Sequence, residues 1–144
     1  MRAAAVLLVL LALAGCGGAV QVEPPAPQGA AAEACTKLAP LLPQTLDGVK
    51  RTTSSPESPY VAVWGAGMMA LRCGVGRPVR MAPTDRLQEI NGVGWFADPD
   101  RSTLFTAVSD VVYVEVTIAA GHNAAEVLAE LSGPIGKVTS AKAG

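Results

Sequence analysis

The sequence predicts an α+β fold: a small antiparallel sheet with an N-terminal and a C-terminal helix packed on it, and one disulfide. Three observations predict it. Helix-forming residues with apolar positions at helical spacing occur near residues 30–42 and 124–131. Short β-prone runs lie between them, separated by Gly, Pro, Asp-Gly and Asn-Gly. Cys35 falls in the first helix and Cys73 in a central strand, where a bridge would clip the two layers. Helices kept to the ends, with strands between, imply a helix layer on one face of an antiparallel sheet.

Met1-Arg2 is a minimal positive start, and Ala3 through Ala14 carries no charged or polar side chain. That run is shorter than the about 20 apolar residues a spanning helix needs, and it suits the apolar region of an export signal. Leu13-Ala14-Gly15-Cys16 matches the bacterial lipobox: an apolar residue, two small residues and a cysteine. Residues 1–15 are therefore expected to be a cleaved lipoprotein signal peptide, with Cys16 lipidated. The alternative is an ordinary secretory signal with an incidental cysteine. Two acyl chains suffice for stable anchoring, at about 0.8 kcal/mol per buried methylene. Residues 16–29 then form the lipidated cysteine and a Pro/Gly-rich tether, in which Pro24, Pro25 and Pro27 favour extended chain at about 3.1 Å per residue. Residues 30–140 are expected to be a single α+β domain, an ordinary length for one core.

Within that domain, Ala30 to Leu42 reads as a helix with Ala31, Cys35, Leu38 and Leu42 on one face, distorted or ended by Pro40, with Pro43 confirming the stop. Asp47-Gly48 is a turn before a short strand, Val49 to Thr53. Ser54 to Pro59 reads as a loop. Tyr60 to Trp64 and Met68 to Val75 read as strands, with Gly74 and Gly76 ending the second. Pro78 and Pro83 bracket a loop. Leu87 to Ile90 and Val93 to Phe96 form a hairpin through Asn91-Gly92, which suits a type I′ turn. Asp98-Pro99-Asp100 is a further turn. Leu104 to Val108 and Val111 to Ile118 are the clearest strands, joined at Ser109-Asp110. In the latter, Val112, Val114, Val116 and Ile118 form one apolar face. Asn123 caps a last helix, Ala124 to Leu131, with Val127, Leu128 and Leu131 inward. Gly133-Pro134 is expected to end it, leaving a frayed tail.

Composition excludes some functions. Eleven Lys and Arg against twelve Asp and Glu give a net charge of −1. No basic field points to nucleic acid. Of the three cysteines, Cys16 is assigned to lipid, which leaves Cys35 and Cys73 as a pair. In an exported chain a disulfide persists; two free thiols or a metal pair are the alternatives. The absence of C-x-x-C argues against thiol redox work.

At SPYVAVWG (Ser58 to Gly65), LRCGVGRP (Leu71 to Pro78), NGVGW (Asn91 to Trp95) and YVEVT (Tyr113 to Thr117) the chain resembles a family of small actinobacterial exported proteins. Many of these are lipoproteins, and the family is described only as a domain of unknown function. VEPPAP (Val22 to Pro27) and Glu33-Ala34-Cys35 extend the similarity over nearly all of the mature chain. The resemblance implies an actinobacterial envelope address and a Cys35–Cys73 pair, and it supplies no activity or catalytic residue. Gly94 stands where members carry an acidic residue, and the Gly65-Ala66-Gly67 turn is looser than the family's.

Catalytic signals are sparse. His122 is the only histidine and reads as a loop residue; a hydrolase would need it to converge with Asp98 or Asp100. No G-x-S-x-G elbow occurs. The Gly65-x-Gly67 and Gly74-x-Gly76 pairs lack the strand-to-helix setting of a phosphate cradle. Asp98-x-Asp100-x-Ser102 lacks the glycine and distal glutamate of a calcium loop. No metal or cofactor is expected.

One positive feature is a run of arginines: Arg72, Arg77, Arg80 and Arg86, with Lys50 and Arg51. Their forks match carboxylate or phosphate. Arg72, Arg77 and Arg80 beside Trp95 are therefore the candidate anion or partner site, although Asp85, Glu89 and Glu57 could simply balance a solvated loop, and a tryptophan is more often core than platform. The sequence thus points to a non-catalytic envelope interaction module at the extracytoplasmic membrane face. Its partner would be an envelope protein or an anionic wall or lipid ligand. A small-molecule or lipid-headgroup binder with a pocket between sheet and helix, and a small hydrolase, are the alternatives.

Overall fold

Short β-prone runs with turn residues between them assemble into more sheet than the sequence suggests. The computed structural model describes residues 18–140; the expected signal peptide and Cys16 lie outside the described residues. In chain order the elements are β1 (Val20–Gln21), α1 (Gly29–Leu38), β2 (Thr45–Leu46), β3 (Val49–Thr52), β4 (Ser54–Ser55), β5 (Val61–Trp64), β6 (Met69–Val75), β7 (Gln88–Ile90), β8 (Val93–Ala97), β9 (Leu104–Val108), β10 (Tyr113–Ile118) and α2 (Ala124–Thr139). Eight strands form one sheet in the order β2-β3-β5-β6-β10-β9-β8-β7, and every pairing in it is antiparallel. The expected small sheet is thus larger, because the 45–52 and 88–97 hairpins both add to its edges.

Both hairpin turns follow from local chemistry. Asn91 and Gly92 have φ of 50° and 81°, and Asp47 and Gly48 have φ of 48° and 74°. Two positive φ values in succession define the type I′ turn, which Asn-Gly and Asp-Gly adopt most readily.

The helices cover one face of the sheet. Leu38 of α1 and Val127, Leu131 and Ile135 of α2 are fully buried against Trp64, Leu71, Val114 and Val116. The Cys35–Cys73 disulfide joins α1 to β6, with Cα atoms 5.6 Å apart. Pro40 ends α1 as expected, with a 3₁₀ turn over Ala39–Leu41.

Three expectations need correction. The last helix does not stop at Gly133-Pro134 but runs to Thr139 with Pro134 inside it. Proline in a helix interior costs about 3 kcal/mol. Burial of Ile135, with Val138 packed beside it, offsets that cost, since a fully buried aliphatic side chain contributes about 1.5–3 kcal/mol. Second, β10 begins at Tyr113, because the Ser109 hydroxyl accepts from the amides of Val111 and Val112 and donates to the Val112 carbonyl. The 109–112 loop is therefore a built turn, and a register shift at Tyr113/Val114 keeps Val112 buried. Third, the segment read as a tether is fastened to the domain from Val20 onward. β1 pairs in parallel with β4, Val20 facing Ser54 and Gln21 facing Ser55. Ser54-Ser55, read as loop, is thereby a strand.

Candidate functional site

The face of the sheet away from the helices is only partly covered, and the candidate site lies there. Register sets one row of side chains across it: Val61, Arg72, Glu115, Thr106 and Phe96, from β5, β6, β10, β9 and β8. Charged residues alternate with apolar ones along β6 and β10, so Arg72 and Glu115 point away from the core that Leu71, Cys73, Val114 and Val116 fill. They meet as a cross-strand ion pair, Arg72 Nη1 to Glu115 Oε1 at 3.0 Å.

Two walls rise from this row. The N-terminal strap forms one: Arg72 Nε donates to the Glu23 carbonyl at 2.9 Å, and Pro27 packs against Gly74. The loop after β6 and the β8–β9 turn form the other. Arg77 Nη2 donates to the Met81 carbonyl at 3.2 Å, and Met81 is buried. Asp98 organises the turn, its Oδ1 accepting from the amides of Asp100 and Arg101 at 2.9 and 3.0 Å. Between the walls runs a groove of about 420 Å³ whose lining includes Arg72, Arg77, Arg101, Asp98, Glu115 and Thr106.

The groove is electrostatically mixed, and its arginines are unequal. Arg72 is engaged by Glu115 and by the strap. Arg77 donates to one carbonyl. Arg101 stands 3.8 Å from Asp98 Oδ2, beyond hydrogen-bond reach, with a side chain 66% exposed. A guanidinium has five N–H donors, so Arg77 and Arg101 retain forks able to take a carboxylate or phosphate.

The arginine run does not converge as one cluster. Arg72 and Arg77 share the groove. Arg80 turns to Asp100, Nε to Oδ2 at 2.6 Å, in an exposed pair of the kind that contributes about 0–1 kcal/mol. Arg86 lines a separate hollow with Asp85 and Pro99. Arg51 lies over the Trp64 ring at 5.8 Å, where burial lowers its pKa from the ordinary guanidinium value. Arg101 was missed; its sequence signal is only that it follows the Asp98 turn.

Trp95 is corrected most plainly. It is 2% exposed, sits on the helix-facing side in register with Ala107, and donates its indole N–H to Ser132 Oγ at 3.0 Å. It belongs to the core and offers no open ring face to a ligand. Trp64 is likewise fully buried, its N–H on the Pro43 carbonyl at 3.1 Å.

The residues suggested for a hydrolase do not come together. His122 Nδ1 pairs with Asp47 Oδ2 at 2.7 Å, whereas Asp98 holds its own turn and Asp100 holds Arg80. Among the described residues no group of three or more His, Cys, Asp or Glu gathers as a metal site. No helix of the described residues is long and apolar enough to cross a membrane.

The model of a family described as a protein of unknown function, DUF3515, matches residues 2–143. No curated protein and no solved structure matches the chain. The match spans nearly the whole chain, and the protein belongs to the DUF3515 family.

Proposed function

We propose that this DUF3515 protein is a lipid-anchored, non-catalytic binding module at the extracytoplasmic face of the cell membrane. Its ligand site is the groove on the helix-free face, and its ligand presents a carboxylate or phosphate. The observation that carries this reading is the pairing of Arg77 and Arg101, brought by different loops to one groove and each with donors to spare. Arg72, already neutralised by Glu115, shapes the floor. The lipobox ending at Cys16 supports the address, and so does the Cys35–Cys73 bridge, since disulfides persist outside the cytosol. The space between sheet and helices is filled by side chains, which favours the helix-free face over an internal pocket.

The test is site-specific photocrosslinking in living actinobacterial cells. A photoreactive residue replaces Val79, a groove-lining position that is 98% exposed, or, as control, the exposed Lys137 of α2. An adduct formed from position 79 and absent from 137, and lost in Arg77→Ala/Arg101→Ala, is expected. Protease sensitivity of that adduct distinguishes a protein partner from a wall polymer or lipid. Equal adducts at both positions, or one indifferent to the double substitution, would reject the groove as the site.

A further inference from the structure

We infer that the domain is held edge-on against the bilayer, with the strand end that carries the 65–68 turn set into the headgroup layer. This rests on the lipid-anchor reading above. The observation behind it is that the segment from Val20 to Pro27 is fastened to the domain rather than free chain. As unattached extended chain, residues 17–29 would reach about 40 Å at about 3.1 Å per residue. Instead the amide of Val20 donates to the Thr53 carbonyl at 3.0 Å and that of Val22 to the Ser55 carbonyl at 3.2 Å. Glu23 is held by Arg72 at 2.9 Å. Pro27 lies so close to Gly74 that a Cβ there would stand 2.4 Å from the proline Cβ. The strap thus follows β6 along its length, from Gly67 beside Val20 to Gly74 beside Pro27.

Only two peptide steps separate Cys16 from Gly18, and two residues span at most about 7 Å. Four residues to Val20, the first strand residue, span at most about 14 Å. A lipid in the bilayer on Cys16 therefore fixes the surroundings of Gly18 at headgroup depth. Those surroundings suit the position. Gly18 and Ala19 line a shallow hollow with Thr52, Thr53, Gly65 and Ala66, all small or hydroxyl-bearing. Next to it Met68 is 44% exposed, one of few large apolar side chains left in solvent. Lys50 is exposed, and its carbonyl accepts from the Gly65 amide at 2.9 Å. A flexible thioether can enter the apolar boundary while a lysine reaches lipid phosphate. The Asp47 carboxylate at this end is engaged by His122 Nδ1 at 2.7 Å. With this edge down, the helix-free face stands upright and the groove opens sideways, along the membrane surface.

The experiment uses the full chain, purified with its own lipid and placed in phosphatidylglycerol–phosphatidylethanolamine vesicles. An environment-sensitive fluorophore is attached at Ala66→Cys or, at the opposite strand end, at Asp110→Cys, and quenched by a lipid carrying a nitroxide on its headgroup. Quenching at 66 is expected to exceed that at 110 several-fold. In Gly74→Ala, which displaces Pro27 and loosens the strap, the difference should shrink while the lipid remains on Cys16. Equal quenching at 66 and 110 in a chain whose intact mass includes the lipid overturns the orientation and leaves the anchor standing. A chain without lipid on Cys16 overturns the anchor, and the orientation with it.

Discussion

Gly74 holds more of the molecule together than its size suggests. Its φ is +88°, and a Cβ would collide with Pro27 at 2.4 Å. Gly74→Ala should destabilise the protein by about 1–3 kcal/mol, the usual range for overpacking, and open residues 18–27 to limited proteolysis. An unchanged melting temperature together with a protected strap would contradict this. Ser132 is the second residue of this kind. It accepts from buried Trp95 and donates to the Leu128 carbonyl at 2.7 Å. Ser132→Ala should cost about 1–3 kcal/mol, because it leaves a buried N–H without a partner. Trp95→Phe in the same chain should recover part of that loss in urea unfolding, by removing the orphaned donor. Trp95 could be core or ligand platform on sequence alone, because a period of two does not say which face of β8 the helices cover; its burial places it in the core. A Cβ at its neighbour Gly94 would lie 2.9 Å from Leu87 Cδ1, the end of an exposed side chain that can swing aside.

Elements whose cause is local were legible. The Asn91-Gly92 hairpin and the Asp47-Gly48 turn rest on φ preferences of adjacent residues. The start of α2 rests on Asn123, whose side chain accepts from the Glu126 amide. Elements whose cause is distant were not. β1 and β4 are two-residue strands paired in parallel across 34 positions, Val20 with Ser54, and no periodicity in either marks them. The end of α2 was misplaced because Gly-Pro is a local stop signal and the burial of Ile135 is a tertiary fact. Pro134 lies inside α2 and cannot donate to the Glu130 carbonyl. Pro134→Ala should therefore raise stability by about 1–2 kcal/mol, less than the full helix-propensity difference because the unfolded chain also gains freedom. A fall in the urea midpoint would show that the proline ring is needed for packing.

At the scale of the whole molecule, one covalent link ties the layers. The Cys35–Cys73 bridge spans 38 positions, and in the chain-entropy model a loop of that size is worth about 4 kcal/mol. Cys35→Ser/Cys73→Ser should lose about that much in urea unfolding; a loss near zero would mean the layers are held by packing alone. The site was half legible at this scale. Arg72 and Arg77 are near in sequence and in space, and the sequence marked both. Arg101 and the Glu115–Thr106 row reach the groove only through strand order and register, and Arg80 leaves the cluster for Asp100, an acid that the sequence does not mark as its partner. The proposed envelope address and the inferred orientation along the membrane both depend on the expected anchor. The most direct measurement is the intact mass of the native protein recovered after cell fractionation. The account predicts a chain that begins at Cys16, carries a diacylglyceryl thioether and sits in the membrane fraction, with Cys16→Ser lacking the lipid and leaving that fraction. An unmodified chain that still begins at Met1, in the soluble fraction, would contradict it.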